Sequence, residues 1–408
     1  MRFILSLAYK NLLRYKKRTI LTFLILSVGI AFYIWIDSFL VGVNEQSFDN
    51  VINFETGHFK IQSKDYDEDK PFAEENFMKD YETVIEKLKT KNYVTAYTQR
   101  IKFTAEMDNA TDSAPCIVIG IDLKTDANVF SLPQFIEKGS LEPGGVMVGK
   151  TLAEDLKLEL GDFIYITFRE EKGMYNSIEA EVTGIIYSPD PATNNSTVFI
   201  NLNEAKEFLN TSGITEIAIK TDDHEAYKKY REYLLKSIPG FQIKSWVDMS
   251  QDFLLISQTK KKFSSIFVFF IIVIALVGII NTVLMSVLEK KKEIGTLKAL
   301  GFTDNDILKM FLFEGAIIGF LGSIFGIILS ILLNWYFVQY GWDMSSIIEE
   351  MGSENVGYRI MSIAKSAWTI KPMIQSVLVA TIVSMAASYY PAKQAVKMEP
   401  AECLRTIQ

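Results

Sequence analysis

Residues 144–151, Gly144-Gly145-Val146-Met147-Val148-Gly149-Lys150-Thr151, fit the pattern G-x-x-x-x-G-K-[ST] letter for letter. In a loop between a buried strand and a helix, that spacing turns backbone N–H groups toward the phosphates of a nucleotide, and the lysine reaches the outer ones. The surroundings do not supply such a loop. Glu142-Pro143 stands where the buried strand should end, and Val146-Met147-Val148 reads as a strand inside the supposed loop. The segment is therefore expected to run turn, strand, then helix over Thr151–Leu158. No apolar run ending in a metal-binding aspartate follows it. The other reactive side chains are sparse: His58, His224, Cys116 and Cys403 form no ligand-spaced cluster, so neither metal nor thiol chemistry is indicated.

The elements that carry these residues follow from where the apolar residues lie. The 408 residues are 49% hydrophobic and 22% charged, a combination that requires the apolar residues to be gathered in blocks. Four such blocks, Thr19–Val43, Phe263–Leu288, Phe311–Val338 and Met373–Ala392, are long enough to cross a hydrocarbon layer of roughly 30 Å, which takes about 20 helical residues. The fourth is diluted by Gln375, Ser376, Thr381, Ser384 and Ser388, as in a helix that faces protein as much as lipid.

Orientation follows from lysine and arginine near the helix ends. Residues 1–18 hold Arg2, Lys10, Arg14, Lys16, Lys17 and Arg18 with no acidic residue, which places the N-terminus in the cytoplasm. The layout is then a cytoplasmic segment 1–18, spans at 19–43, 263–288, 311–338 and 373–392, outer segments 44–262 and 339–372, a cytoplasmic loop 289–310 and a cytoplasmic tail 393–408. Lys260, Lys261 and Lys262 lie on the outer side against the rule, which is weak for loops beyond roughly 60 residues. The first block is too long, and its basic lead too extended, for a cleaved signal peptide. Residues 44–262 carry 25 Lys and Arg against 37 Asp and Glu, so the acidity sits outside the membrane and a nucleic-acid role has no support. In this layout the two cysteines lie on opposite sides of the membrane, and the 144–151 pattern lies where ATP is absent.

The outer residues 44–262 read as an α+β domain with an inserted, mostly β subdomain. Ile214–Thr221, Glu225–Lys236 and Phe241–Trp246 form a strand-helix-strand unit. Gly57–Ser63, a helix near Asp80–Lys89 and Val94–Met107 supply matching elements. Between them, Pro115–Gly120, Asp162–Phe168, Glu179–Tyr187 and Thr197–Leu202 are strand-like, with turns at Gly173 and Ser188-Pro189-Asp190-Pro191.

On the inner side, Glu289–Thr303 reads as a short amphipathic helix closed by Gly301 in a C-cap position. Such a helix either rests on lipid headgroups or offers Ile294, Leu297, Ala299 and Leu300 to a partner's groove. In the third span Gly315, Gly319, Gly322 and Gly326 fall within about 60° on a helical wheel, which admits a close helix neighbour from the same chain or from a second copy. Glu314 and Asp37 are costly if they face lipid, so each is a candidate for a charged partner or a polar cavity, but both lie near the interface, where snorkelling is cheap and is the reading favoured.

Together these residues resemble the FtsX-like permease domain of MacB-type (type VII) ABC systems. The resemblance rests on Glu293-Ile294-Gly295-Thr296-Leu297-Lys298-Ala299-Leu300-Gly301 after a span containing Asn281, and on Glu314-Gly315 with the glycine stripe. It also rests on Tyr390-Pro391-Ala392 followed by Ala395, Pro400 and Glu402-Cys403-Leu404-Arg405, and on Ala8-Tyr9-Lys10-Asn11-Leu12 with Arg18-Thr19. The family's usual Glu-Arg pair after the second span is Glu289-Lys290 here. Gly57-His58-Phe59-Lys60-Ile61-Gln62, Gly120-Ile121-Asp122 and the Gly149 to Gly161-Asp162 stretch are similar to lipoprotein-releasing (Lol-type) permeases.

The resemblance implies a MacB-like periplasmic core domain on a bacterial inner-membrane permease that works by mechanotransmission. A cytoplasmic ATPase dimer, which binds ATP and Mg in place of this chain, would grip Glu289, Glu293, Ile294, Gly295, Leu297, Lys298, Ala299 and Gly301. A second permease subunit, identical or paralogous, and membrane lipids are further expected partners. In Lol-type systems a lipoprotein is extracted from the outer leaflet and handed to a periplasmic chaperone. The rivals are a MacB-like exporter of peptides or small molecules, an FtsX-like signalling permease that does not transport, and an autonomous ATPase resting on Gly144–Thr151 alone.

Overall fold

The computed structural model describes residues 16–67, 70, 73–169, 174–351, 363–399 and 403. Arg2, Lys10, Arg14, the Ala8–Leu12 motif, Gly173, Pro400, Glu402, Leu404 and Arg405 lie outside the described residues. The chain forms two compact units, one of Met1–Val43, Ser257–Trp342 and Ala364–Gln408, the other of Asn44–Ile256 and Asp343–Ile363.

Four helices among the described residues are long and apolar enough to cross a membrane. They are α1 (Lys16–Asn50), α2 (Gln251–Glu289), α4 (Asp304–Gln339) and α5 (Lys371–Val396); the short α3 (Lys291–Ala299) joins the middle pair. Each helix runs past its apolar block, because main-chain hydrogen bonding rather than hydropathy decides where a helix ends. Thus α1 continues to Asn50 and α2 already begins at Gln251, so residues 260–262 lie inside a helix. The serines that dilute α5 have a place in the packing: Ser376, Ser384 and Ser388 are buried. Ser27 of α1, fully buried, donates to the Gly322 carbonyl of α4 at 3.0 Å, and the Thr22 and Thr282 hydroxyls of α1 and α2 share a hydrogen bond of 2.5 Å. Where lipid tails and leucines are equally apolar, small residues and such hydroxyl contacts hold helices together. Aromatic rings gather at one end of α1 and α4, with Trp35 and Phe337 4.9 Å apart and Phe39 and Trp342 6.0 Å apart, as befits a membrane interface.

Among the described residues, the main sheet of the second unit is built of ten strands: β1 (Phe59–Ser63), β2 (Val94–Asp108), β3 (Ser113–Ile121), β4 (Ile136–Gly139), β5 (Gly145–Gly149), β6 (Phe163–Arg169), β7 (Tyr175–Ile186), β8 (Thr197–Asn201), β9 (Glu216–Thr221) and β10 (Phe241–Ser245). An antiparallel sheet runs β10-β1-β9-β2. The strand-helix-strand unit at its end is present as β9, Tyr227–Ser237 and β10, but β1 lies between the two strands and pairs with each. The helices Tyr81–Lys89 and Tyr227–Ser237 bury Val84, Ile85, Leu88, Tyr230 and Leu234 in one core with Phe59, Ile61, Ile217 and Ile243.

The mostly β middle segment shares strands with this sheet. β2 is long enough to pair with β9 over its first half and with β6 over its last four residues. From there the pairings β6 with β7, β7 with β5, β5 with β8, β8 with β3 and β3 with β2 close a six-stranded barrel. Closure leaves these strands no unpaired edge along the ring. Its interior holds Phe103, Met107, Val118, Val148, Ile164, Ile166, Phe168, Val182 and Val198, all buried in the same core cluster.

Two buried polar clusters brace this unit. Arg100 on β2 donates from Nε and Nη2 to the two oxygens of Asp126 at 2.7 and 2.8 Å and from Nη1 to the Phe54 carbonyl at 3.3 Å, with its guanidinium 3.4 Å from the Phe130 ring centre. The His58 ring accepts at Nδ1 from the Thr221 N–H at 3.0 Å and meets the Thr221 hydroxyl at 2.8 Å, while the His58 carbonyl accepts from Trp246 N–H. Burial, with His224 and Lys220 nearby, pushes the His58 imidazole down to about 4, against the opposing pull of Asp223 and Asp222.

Candidate functional site

The turn from α2 to α4 is a chain of local stop and start signals. α2 ends at Glu289, Lys290 leaves the helical path, and α3 runs from Lys291 to Ala299. Gly301, at φ 96°, occupies the left-handed position that glycine adopts without strain. Its N–H donates to the Lys298 carbonyl at 3.0 Å and the Phe302 N–H donates to Leu297 at 3.0 Å, which together close a Schellman motif. Thr303 and Asp306 then start α4 with a reciprocal capping box. Gly301 thus stops one helix two residues before the next begins, and α3 is held as a separate rigid peg.

The expected coupling residues divide by face. Ile294 and Gly295 are buried, and Ile294 belongs to a core with Val283, Val287, Ile307, Phe311, Ala392 and Ala395. Leu297 packs against that core and Lys298 is largely turned inward. Glu289, Glu293, Ala299, Gly301 and Leu300, the last 75% exposed, face outward. Of Ile294, Leu297, Ala299 and Leu300, the chain's own core takes the first two, and the last two stay exposed.

Sequence reasoning passed over the pair beneath the peg. Lys290 and Glu314 are 2% and 3% exposed, with Lys290 Nζ 3.4 Å from Glu314 Oε2, and Ser286 donates to Glu314 Oε1 at 2.9 Å. Glu314 does not snorkel; it is neutralised inside the unit, because an ionised carboxylate in apolar surroundings needs a partner. The available signal was an acid in an apolar span together with the unusual lysine after Glu289. Asp37 is half-buried on α1.

The glycine stripe faces the chain's own helices. A side chain on Gly315 or Gly319 would run into Ser388, Ser384 and the Ala380 carbonyl of α5, and one on Gly322 or Gly326 into Leu26, Ser27 and Ile30 of α1. Of the two neighbours left open by the sequence, the intrachain one is observed.

The G-x-x-x-x-G-K-[ST] residues form no cradle. Gly145–Gly149 is strand β5, fully buried and paired with β7 and β8, and the following helix is Lys150–Asp155. The Lys150 ammonium lies 2.9 Å from Glu137 and 4.6 Å from the centre of the Tyr187 ring. Among the described residues no three His, Cys, Asp or Glu side chains are placed to hold a metal. Burial, with Glu106 beside it, pushes the Cys116 thiol up to about 12, far from a reactive thiolate.

Comparison with known proteins places this geometry. The MacB-like periplasmic core domain matches residues 19–236, and the FtsX-like permease C-terminal region matches residues 265–400. The chain belongs to this family of ABC transporter permeases. An uncharacterised ABC transporter permease of Methanocaldococcus jannaschii is 29% identical to this permease over 263 residues, 62% of this chain and 59% of that protein, less than two thirds of its length. The lipoprotein-releasing system transmembrane protein LolE of Haemophilus influenzae is 23% identical over 351 residues, 82% of this chain and 83% of that protein. The crystal structure of the periplasmic region of MacB from Actinobacillus actinomycetemcomitans aligns at 13% identity with a TM-score of 0.35, over 51% of this chain and 97% of that structure. The family is that of type VII permeases, inner-membrane proteins with a periplasmic domain.

Proposed function

We propose that this permease drives the ATP-dependent release of lipoproteins from the inner membrane by mechanotransmission. The observation that carries the reading is the length of the match to LolE, which extends over four fifths of both chains. Two copies, or this chain and a paralogue, stand side by side with both termini cytoplasmic, the orientation favoured by Lys291, Lys292, Lys393 and Lys397. An ABC ATPase dimer on the cytoplasmic face binds ATP and Mg and grips the outward face of α3. Closure of that dimer shifts α3, and the helices pass the movement to the periplasmic domain, which handles the lipoprotein and its chaperone. No catalytic step falls to the permease, and Lys150 has no part in nucleotide binding.

The test uses the full chain, tagged and purified from its own membranes. An ATPase is expected to copurify with the wild type and to be lost, by at least about tenfold, in Leu300→Asp, which sets an unpaired charge in the gripped face. Reconstituted in phosphatidylethanolamine and phosphatidylglycerol vesicles with a triacylated reporter lipoprotein, the complex should release the reporter only when ATP is supplied. Undiminished copurification with Leu300→Asp removes the docking assignment. ATP hydrolysis without reporter release returns the exporter and signalling readings to the front.

A further inference from the structure

Lys298 lies in the loop whose outward face is proposed to meet the ATPase, yet its side chain serves the inside. The ammonium donates to the main-chain carbonyls of Val396 at 2.5 Å and Met398 at 3.1 Å, and it lies 2.9 Å from a carboxylate oxygen of Asp304. An ammonium has three donors, and here three acceptors surround it. Val396 is the last residue of α5, so its carbonyl is one of the four that a helix leaves without an internal partner. The same end carries the negative pole of the helix dipole, which favours a cation. Asp304 is the first residue of α4. One side chain on α3 therefore joins the end of α5 to the start of α4.

The other contact between α3 and α5 is apolar, through Ile294, Leu297, Ala392 and Ala395. Apolar burial is non-directional, and two such surfaces slide over one another at little cost. Hydrogen bonds from a cation to fixed carbonyls set a direction and a register. At the opposite end of α3, Lys290 reaches Glu314 of α4. A lysine at each end of the peg is thus bonded to a span helix, Lys290 to α4 and Lys298 to α5.

We propose that Lys298 is a positioning residue, a strap through which displacement of α3 is handed to the fourth span. This rests on the mechanotransmission reading above. When the peg moves, α5 follows because its terminal carbonyls are held, and α4 follows through Asp304 and through Glu314. The strap holds no ATPase: Glu293, Ala299 and Leu300 remain the outward face with or without the Lys298 charge.

Lys298→Met keeps the apolar stem and removes the ammonium. In the purified permease without nucleotide, trypsin should cleave after Lys397, whose side chain is exposed, on the order of tenfold faster than in the wild type, since cleavage tracks how often the segment opens. Lys298→Arg, which retains the charge and the donors, should restore protection. In vesicles, Lys298→Met should copurify the ATPase and hydrolyse ATP as the wild type does, but release the reporter lipoprotein at least about tenfold less per ATP. Equal trypsin rates in Lys298→Met and wild type overturn the strap. Faster cleavage with an unchanged ratio of release to hydrolysis overturns its role in transmission and leaves a merely structural contact. If Lys298→Met does not reach the membrane, Lys298→Gln, which keeps two donors without the charge, is judged by the same two readouts. Absence of a copurifying ATPase in the wild type itself defeats the wider functional reading and transmission with it, while the trypsin comparison still decides whether the end of α5 is strapped.

Discussion

Two buried ion pairs, Arg100–Asp126 in the periplasmic unit and Lys290–Glu314 in the membrane unit, neutralise their charges in different ways. Arg100 presents a planar fork to both oxygens of Asp126, satisfies a third donor on Phe54 and lies flat over Phe130. Lys290 places a point charge on a flexible stem 3.4 Å from one oxygen of Glu314, whose other oxygen is held by Ser286. The fork fixes angle as well as distance, whereas the point charge fixes little beyond proximity. In the transmission proposed above, the first would serve as a brace in the periplasmic unit and the second as a joint beneath α3.

The largest expected effect breaks the rigid member of the pair. Asp126→Asn leaves the Arg100 charge buried without a counter-ion and should cost about 3–5 kcal/mol, read as a fall in the melting temperature of the full chain in detergent. The matching change Glu314→Gln keeps an acceptor for Ser286 and lets Lys290 move on its stem, so its cost should be smaller by at least about 1 kcal/mol. Equal losses at the two sites would erase the contrast between brace and joint.

Acid offers a second way to loosen the periplasmic unit. His58 is held neutral in the folded chain, with its imidazole at about 4, below the ordinary 6.5. Between those values the unfolded chain binds a proton that the folded chain does not, so this contribution is complete above pH 6.5 and is lost as the pH falls toward 4. It amounts to at most about 3 kcal/mol. The emission of Trp246, whose main-chain N–H bonds the His58 carbonyl and whose indole N–H bonds the His224 carbonyl, should report a melting temperature that drops over that window. In His58→Gln the drop should be markedly smaller; an unchanged profile would mean that other groups carry the acid sensitivity.

What was legible in the sequence differs between the two units for the same reason. The four apolar helices, the Gly301 stop and the strand inside Gly144–Thr151 are written in neighbouring residues, and each is present in the fold. The closure of the barrel is not, because it depends on β2 continuing for eight residues past its β9 partner, the last four of them pairing with β6, some sixty positions away. The short β4 was missed because Ile136–Gly139 is mostly exposed and shows no alternation. At the peg, the residue types were read correctly but not their directions. A charge next to an apolar stripe looks like surface until the terminal carbonyls of another helix are seen to await it, as they do at Lys298. Glu314 looked interfacial because nothing in its own span announces that Lys290, twenty-four positions earlier, folds back to it.

Exchanging the two cations is the finest probe of the contrast and carries its smallest predicted change. Arg100→Lys retains the charge but gives up the fork, the bond to Phe54 and the stacking on Phe130, and should cost about 2 kcal/mol. Lys290→Arg should cost less than about 1 kcal/mol, since the contact to Glu314 is monodentate and makes no demand that a guanidinium cannot meet. The ammonium stands 5.9 Å from the centre of the Phe311 ring, a face that a guanidinium can also engage. Both variants are compared by melting temperature, and Lys290→Arg also by ATP-driven reporter release. A guanidinium that gripped both oxygens of Glu314 would stiffen the joint, so slower release at unchanged stability would show that the looseness of the lysine is itself used. A Lys290→Arg penalty as large as that of Arg100→Lys would mean instead that the membrane pair is fitted as closely as the periplasmic one.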